Sequence, residues 1–209
     1  MMLFSEEKIS KLHLTIKNEM SEYRFSHTAG VVASAEELGK LYMQESIDEL
    51  RAAALLHDIT KELTVEEHIA LMKKHGLTVT DSDIASPQLF HAKTAELAVR
   101  DRYAEFATDR ICQALRYHTT GSEDMTLFDA IIYIADYIEV GRTVDFCVSL
   151  RNYFWSAEPS KMNTEERETH LWRTVLLSLD MTIENIKNKG GAVDGATLRA
   201  REAVAKRLS

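Results

Sequence analysis

Apolar side chains recur along this chain at intervals of three and four residues, the spacing that gathers them on one side of a helix. Between residues 26 and 43 this pattern picks out Val31, Val32, Ala35, Leu38 and Tyr42. Ser5 is placed to cap an earlier helix carrying Ile9, Leu12, Leu14 and Ile16, and Asp48 opens a third helix running through His57. Thr64 with Glu67 three residues on is a capping box for a fourth, which runs to about Lys74 before Gly76 stops it. Residues 76–87 read as a loop closed by Pro87, and further helices are expected over 89–103, 109–118 and 126–140. A long helix over about 165–188 starts from a Thr164 cap, "NKGG" ends it, and a short helix follows from about residue 195. No alternation of strand length appears, and only two prolines and eight glycines interrupt the chain. The pattern predicts an all-α protein, with "WSAEPSKMN" as an exposed link before a C-terminal portion without evident chemistry.

Composition narrows the classes of function. The chain has 209 residues and a hydrophobic content of 45%, ordinary for a globular protein, so a single folded domain over 1–209 is expected. Against 33 acidic residues stand 25 basic ones, a net charge of −8 that excludes a broad phosphate-backbone footprint and hence nucleic acid as a main partner. Cys112 and Cys147 stand alone, without the spacing of a disulfide framework or a thiolate zinc site. No apolar stretch reaches the length of a signal peptide or membrane span, so a cytoplasmic protein with no membrane partner is expected.

Two carboxylates contradict the hydrophobic pattern. The run Ala52 to Leu56 ends in His57-Asp58, and Asp136 falls among Ile131, Ile134, Ala135 and Ile138. A buried carboxylate costs several kcal/mol unless a cation compensates it. Asp129, two turns before Asp136, lies roughly on the same side, and Arg116 and Arg142 are the available partners if these acids merely form ion pairs. The histidines divide as well. His13, His68, His75 and His170 sit in charged or amphipathic company, as surface or packed histidines do, whereas His27, His57, His91 and His118 stand beside small and polar residues or at helix ends. Two histidines and two carboxylates from separate helices make a mixed nitrogen and oxygen set suited to a first-row divalent ion, which would compensate both acids at once.

The order His27, His57-Asp58, Asp136 resembles the HD-domain superfamily of metal-dependent phosphohydrolases, and within it the bacterial YqeK-type branch of symmetrical diadenosine tetraphosphate hydrolases. "HTAGV", "AALLHDITKEL", "FHAKTAELA" and "ALRYHTTGSEDMTLFDAIIYIADYIEVGR" carry the resemblance over about residues 20–151, and "TIENIKNKGGAVDGATLRA" extends it loosely into the C-terminal part. Val140 stands where the family tends to have proline, and Ser122 where it has a basic residue.

The resemblance implies an HD-type helical bundle with C-terminal helices over about 164–206, and one metal held by His27, His57, Asp58 and Asp136. Iron in the ferrous state is the family's metal, with manganese or cobalt as alternatives. Related HD branches hold a second metal with further histidines. Polarisation of a phosphoryl oxygen and of an attacking water would give two ADP from diadenosine tetraphosphate. Lys61, one turn past Asp58, and Arg142 would neutralise phosphate charge, as would Thr119, Thr120 and Gly121 of the "HTTG" loop. His91 and His118 would bind phosphate and protonate the leaving group, so the catalytic set is His91, His118, Asp58 and Lys61. The implied partner is a small nucleotide, a dinucleoside polyphosphate or an ADP- or GDP-like product. Rival readings are a nucleotidase of the same superfamily, a di-iron oxygenase and a non-catalytic nucleotide-binding regulator. Phe146, Phe154 and Trp155, outside the matched motifs, would serve a homodimer or pack beneath the C-terminal helix.

Overall fold

The fold is built around one helix that is apolar on every side. In the computed structural model, which describes residues 3–209 apart from the side chain of Ser82, α8 (Leu127–Ile138) buries Phe128 through Ala135 without interruption, and Ile138 as well. A helix apolar all round belongs inside a protein rather than on its face. Around it lie α2 (Glu22–Tyr42), α3 (Ile47–Leu56), α7 (Asp109–Tyr117), α9 (Asp145–Ser156) and α10 (Thr164–Asn188). An N-terminal helix α1 (Glu6–Glu19) packs on α3, α4 (Val65–Lys74) lies against α6 (Phe90–Arg102), and α11 (Gly195–Arg207) folds back on α10. Among the described residues there is no strand, and no helix is long and apolar enough to cross a membrane.

The caps explain most boundaries. Ser5, Thr64, Thr108 and Thr126 each accept the amide of the residue three positions on, and Thr64 and Thr126 form full capping boxes with Glu67 and Asp129. Helix α2 starts earlier than its hydrophobic pattern indicates, because Ser21 caps it, so His27 lies inside the helix rather than near its start. Asn163, not Thr164, caps α10. The expected loop 76–87 contains a short helix α5 (Asp81–Ala85), opened by a Thr80–Asp83 capping box that was readable in the sequence. Helix α9 has no counterpart in the expected elements. Its Phe154 is fully buried, set edge-on to Trp155 and stacked on His170 of α10, so Phe154 packs beneath the C-terminal helix. Phe146 lies across Tyr137 instead, at the mouth of a pocket.

A candidate metal centre and phosphate pocket

Five helices deliver their polar side chains to one place. His27 comes from the second turn of α2, His57 and Asp58 from the C-terminal end of α3, His118 from the C-terminal end of α7, and Asp136 from the last turn of α8. His91 enters from the first turn of α6. The apolar run Ala52–Leu56 is wholly buried, which anchors α3 and sets His57 and Asp58 at the bottom of the site.

Asp58 stands at the centre. Its Oδ2 lies 3.8 Å from His27 Nε2 and 3.6 Å from His57 Nε2, while Oδ1 faces His91 Nε2 at 3.4 Å and His118 Nε2 at 3.6 Å. Asp136 Oδ1 is 3.0 Å from His27 Nε2 and 4.0 Å from His57 Nε2. Ligands about 2.1 Å from an ion stand roughly 3.0–3.4 Å apart when adjacent and up to about 4.2 Å when opposite, so separations of 3.0 to 4.0 Å let these four groups close on one ion. His27 Nε2, His57 Nε2 and Asp58 Oδ1 are buried with no hydrogen-bond partner among the described residues. Orphaned buried atoms are costly, and a divalent cation satisfies all three, so the residues present fit a metal. Asp58, His91 and His118 form a second convergent trio. There, however, the Lys61 ammonium lies 2.9 Å from His91 Nε2 and 3.9 Å from Asp58 Oδ1, already supplying positive charge.

The hydrogen bonds assign tautomers. His57, His91 and His118 donate from Nδ1 to the carbonyls of Ala54, Gln88 and Leu115, at 2.7, 2.8 and 2.7 Å, so each Nε2 faces inward, and those of His91 and His118 meet at 3.1 Å. Burial holds His57 neutral, with its pKa lowered to about 4. Burial, reinforced by His118 and Lys61, pushes His91 down to about 2. Burial also opposes a charged His27, but the Asp136 and Glu139 carboxylates outweigh it and raise that ring to about 9. Burial alone would raise Asp58, yet His57, His118 and Lys61 hold it well below the usual carboxylate range. Asp136 behaves likewise, kept ionised by His27 and Arg142.

The quartet opens into a pocket of about 450 Å³ lined by Arg24, Lys61, Arg142 and Thr119 among others. Arg24 Nη1 donates to Asp58 Oδ2 at 2.7 Å, and Arg142 donates to the carbonyl and carboxylate of Asp136. Thr119 Oγ1 lies 3.1 Å from His91 Nε2.

Three expectations change. Thr120 turns its hydroxyl to the Gly121 carbonyl and lines a separate cavity beside Lys93, Arg116 and the start of α11. Gly121, at a φ of 69°, packs against Ala200 and Met125, so of the loop only Thr119 faces the site. Asp129 is the capping-box acid of α8 and accepts from Gln113 at 2.7 Å, away from Asp136, and Arg116 pairs with Glu96. His91 Nε2 lies 2.9 Å from the Lys61 ammonium and 3.1 Å from His118 Nε2, so the two inner histidines and the lysine form one contact group. Three residues went unnoticed in the sequence: Arg24, one turn before His27 on the same face; Glu139, whose Oε1 lies 3.2 Å from His27 Nδ1; and Gly30, which gives that carboxylate room.

Residues 24–141 match the HD domain family. The symmetrical bis(5'-nucleosyl)-tetraphosphatase of Bacillus subtilis is 35% identical over 127 residues, which cover 61% of this chain and 67% of that one. The enzyme of the same name from Staphylococcus aureus is 28% identical over 138 residues, covering 65% and 69% of the two chains. A crystal structure described as a predicted HD superfamily hydrolase involved in NAD metabolism, from Clostridium acetobutylicum, superposes with a TM-score of 0.79 at 29% identity, over 98% of both chains.

Proposed function

The chain belongs to the HD domain family, and from that premise we propose how its pocket works as a symmetrical bis(5'-nucleosyl)-tetraphosphatase. The protein is a metal-dependent hydrolase that converts diadenosine tetraphosphate into two ADP. The observation that carries the residue-level reading is the convergence of His27 Nε2, His57 Nε2 and Asp58 Oδ1, all buried and unpartnered, beside the three cations Arg24, Lys61 and Arg142.

His27, His57, Asp58 and Asp136 would hold one divalent ion, ferrous iron by preference and manganese or cobalt otherwise. This donor set is mixed nitrogen and oxygen and lacks thiolate. Such an ion supplies Lewis acidity toward a phosphoryl oxygen and toward the attacking water. The protein's own groups do the rest. Phosphoryl transfer asks chiefly for positioning and charge neutralisation. The Lys61 ammonium, oriented by His91 at 2.9 Å, meets a phosphate oxygen next to the ligand quartet. Arg142, about a third exposed, offers its guanidinium from the opposite wall, and Thr119 adds a hydroxyl donor. ADP leaves as a phosphate whose own last pKa is about 6, so neutralising its charge matters more than handing it a proton. His91, His118 and Lys61, which touch one another, are the groups closest to that task.

One ion per chain is favoured over two, because Lys61 stands where a second would sit. The substrate is a small nucleotide, and we place the protein in the cytoplasm without nucleic-acid or membrane partners.

The test is an anaerobic assay of purified protein with iron, manganese, cobalt or magnesium, combined with product separation and metal counting. ADP as the sole product of diadenosine tetraphosphate, at one ion per chain, is the expected result. Inorganic phosphate from nucleoside monophosphates, with the tetraphosphate left intact, would transfer the protein to the nucleotidases. Two ions per chain would remove the one-metal assignment.

A further inference from the structure

Of the four histidines around the centre, His57, His91 and His118 find the partner for their second nitrogen in the chain's own backbone, three residues back. His57 and His118 can do so because they cap α3 and α7, where the last carbonyls lack helical partners. His27 lies inside α2, where the carbonyls of the preceding turn are committed to the helix ladder. Its Nδ1 is met instead by a side chain, Glu139, at 3.2 Å.

Glu139 is itself firmly held. Its side chain is 3% exposed, and its Oε2 accepts the Gly141 amide at 2.6 Å. Arg151 of α9 donates to the Glu139 carbonyl at 2.6 Å and to the Arg142 carbonyl at 3.2 Å, pinning the turn after α8. Two glycines leave the carboxylate its space: a Cβ at Gly30 would overlap Oε2, and one at Gly141 would lie 2.9 Å from it. Gly30 is in α2, three residues past His27, on the same face.

We propose that Glu139 is a positioning residue for His27: it accepts a hydrogen bond from Nδ1–H, aiming Nε2 toward Asp136 and His57, and Gly30 is the gap that admits it. The inference rests on the reading of His27 as a metal ligand. Outer carboxylates in this relation to a ligating histidine contribute roughly 10–100-fold in metal affinity. A carboxylate that only tied the turn 139–142 would leave that affinity alone.

The experiment measures Mn²⁺ binding to the full chain by calorimetry, with no nucleotide present. The variants are Glu139→Ala, Glu139→Gln and Gly30→Ala, with helical content followed by circular dichroism. Glu139→Ala and Gly30→Ala should weaken binding roughly 10–100-fold. Glu139→Gln, which still accepts from Nδ1, should recover most of the loss. A folded Glu139→Ala or Gly30→Ala protein with a Kd within about twofold of wild type overturns the proposal. If Glu139→Ala does not fold, Gly30→Ala decides by the same criterion. His27→Ala separates the two levels: an unchanged Kd there sinks the metal reading of the site, while loss there with unaffected Glu139 and Gly30 variants sinks only this inference.

Discussion

Asp58 faces two groups of histidines with its two oxygens and is only 4% exposed, so its charge has no solvent to fall back on. Asp58→Ala should abolish metal retention and hydrolysis while leaving helical content intact, as metal analysis, assay and circular dichroism will read. Full activity in that variant would show that the centre lies elsewhere. Lys61→Met should keep the metal and lower kcat/KM by about thirtyfold, the equivalent of about 2 kcal/mol for a lost charged hydrogen bond to phosphate. Titration adds a third expectation. In the metal-free protein His27 is charged up to about pH 9, while His57 and His91 are neutral down to about 4 and 2. A raised pKa stabilises the metal-free fold below the ordinary value of 6.5, and that contribution is lost as pH rises through 9. Loading a cation at pH 7.5 must expel that one proton, so the Kd should tighten about tenfold per pH unit up to about 9 and then level off. Calorimetry in buffers of different ionisation enthalpy counts the proton directly, and a count of zero would contradict the assigned state of His27.

At the scale of the element, the site depends on where helices stop. Helix α8 presents Asp136 in its final turn and starts at the Thr126–Asp129 capping box. Thr126→Ala should therefore cost about 1 kcal/mol, lowering Tm by roughly 2–4 °C in a protein of this size. Hydrolysis at 25 °C should persist, and a loss of activity without loss of stability would mean the cap does more than start the helix. The sequence made α8, α3 and their ligands readable because a carboxylate inside an apolar run has few explanations. It made α9 unreadable, since Phe146, Cys147, Leu150 and Phe154 follow no capping residue: Val144 precedes the helix without a side-chain cap. Thr120 and Gly121 were misplaced because a loop's composition does not say which hydroxyl turns inward; Gly121 is fixed by Ala200, nearly eighty residues away. Arg24 and Glu139 escaped for a related reason. A charged residue near a turn looks like ordinary surface until tertiary packing buries it.

Across the whole molecule, the C-terminal helices share the core with the ligand-bearing ones. Phe154 is fully buried, and Leu171, Val175 and Leu179 of α10 join the cluster that contains α8. Phe154→Ala should cost about 3–5 kcal/mol, read by urea unfolding as a shifted midpoint in a single transition. Two separate transitions would divide the protein into independently folding parts. The ring-anchoring pattern has a consequence for inheritance. Three of the four imidazoles are oriented by main-chain carbonyls, which every substitution at Ala54, Gln88 or Leu115 other than one that bends the backbone will preserve. His27 is oriented by a side chain that a single codon change can remove. Substitution at Ala54 and Leu115 is thus limited by packing and not by the anchor itself, whereas the fourth anchor is lost with one side chain or with the glycine that makes room for it.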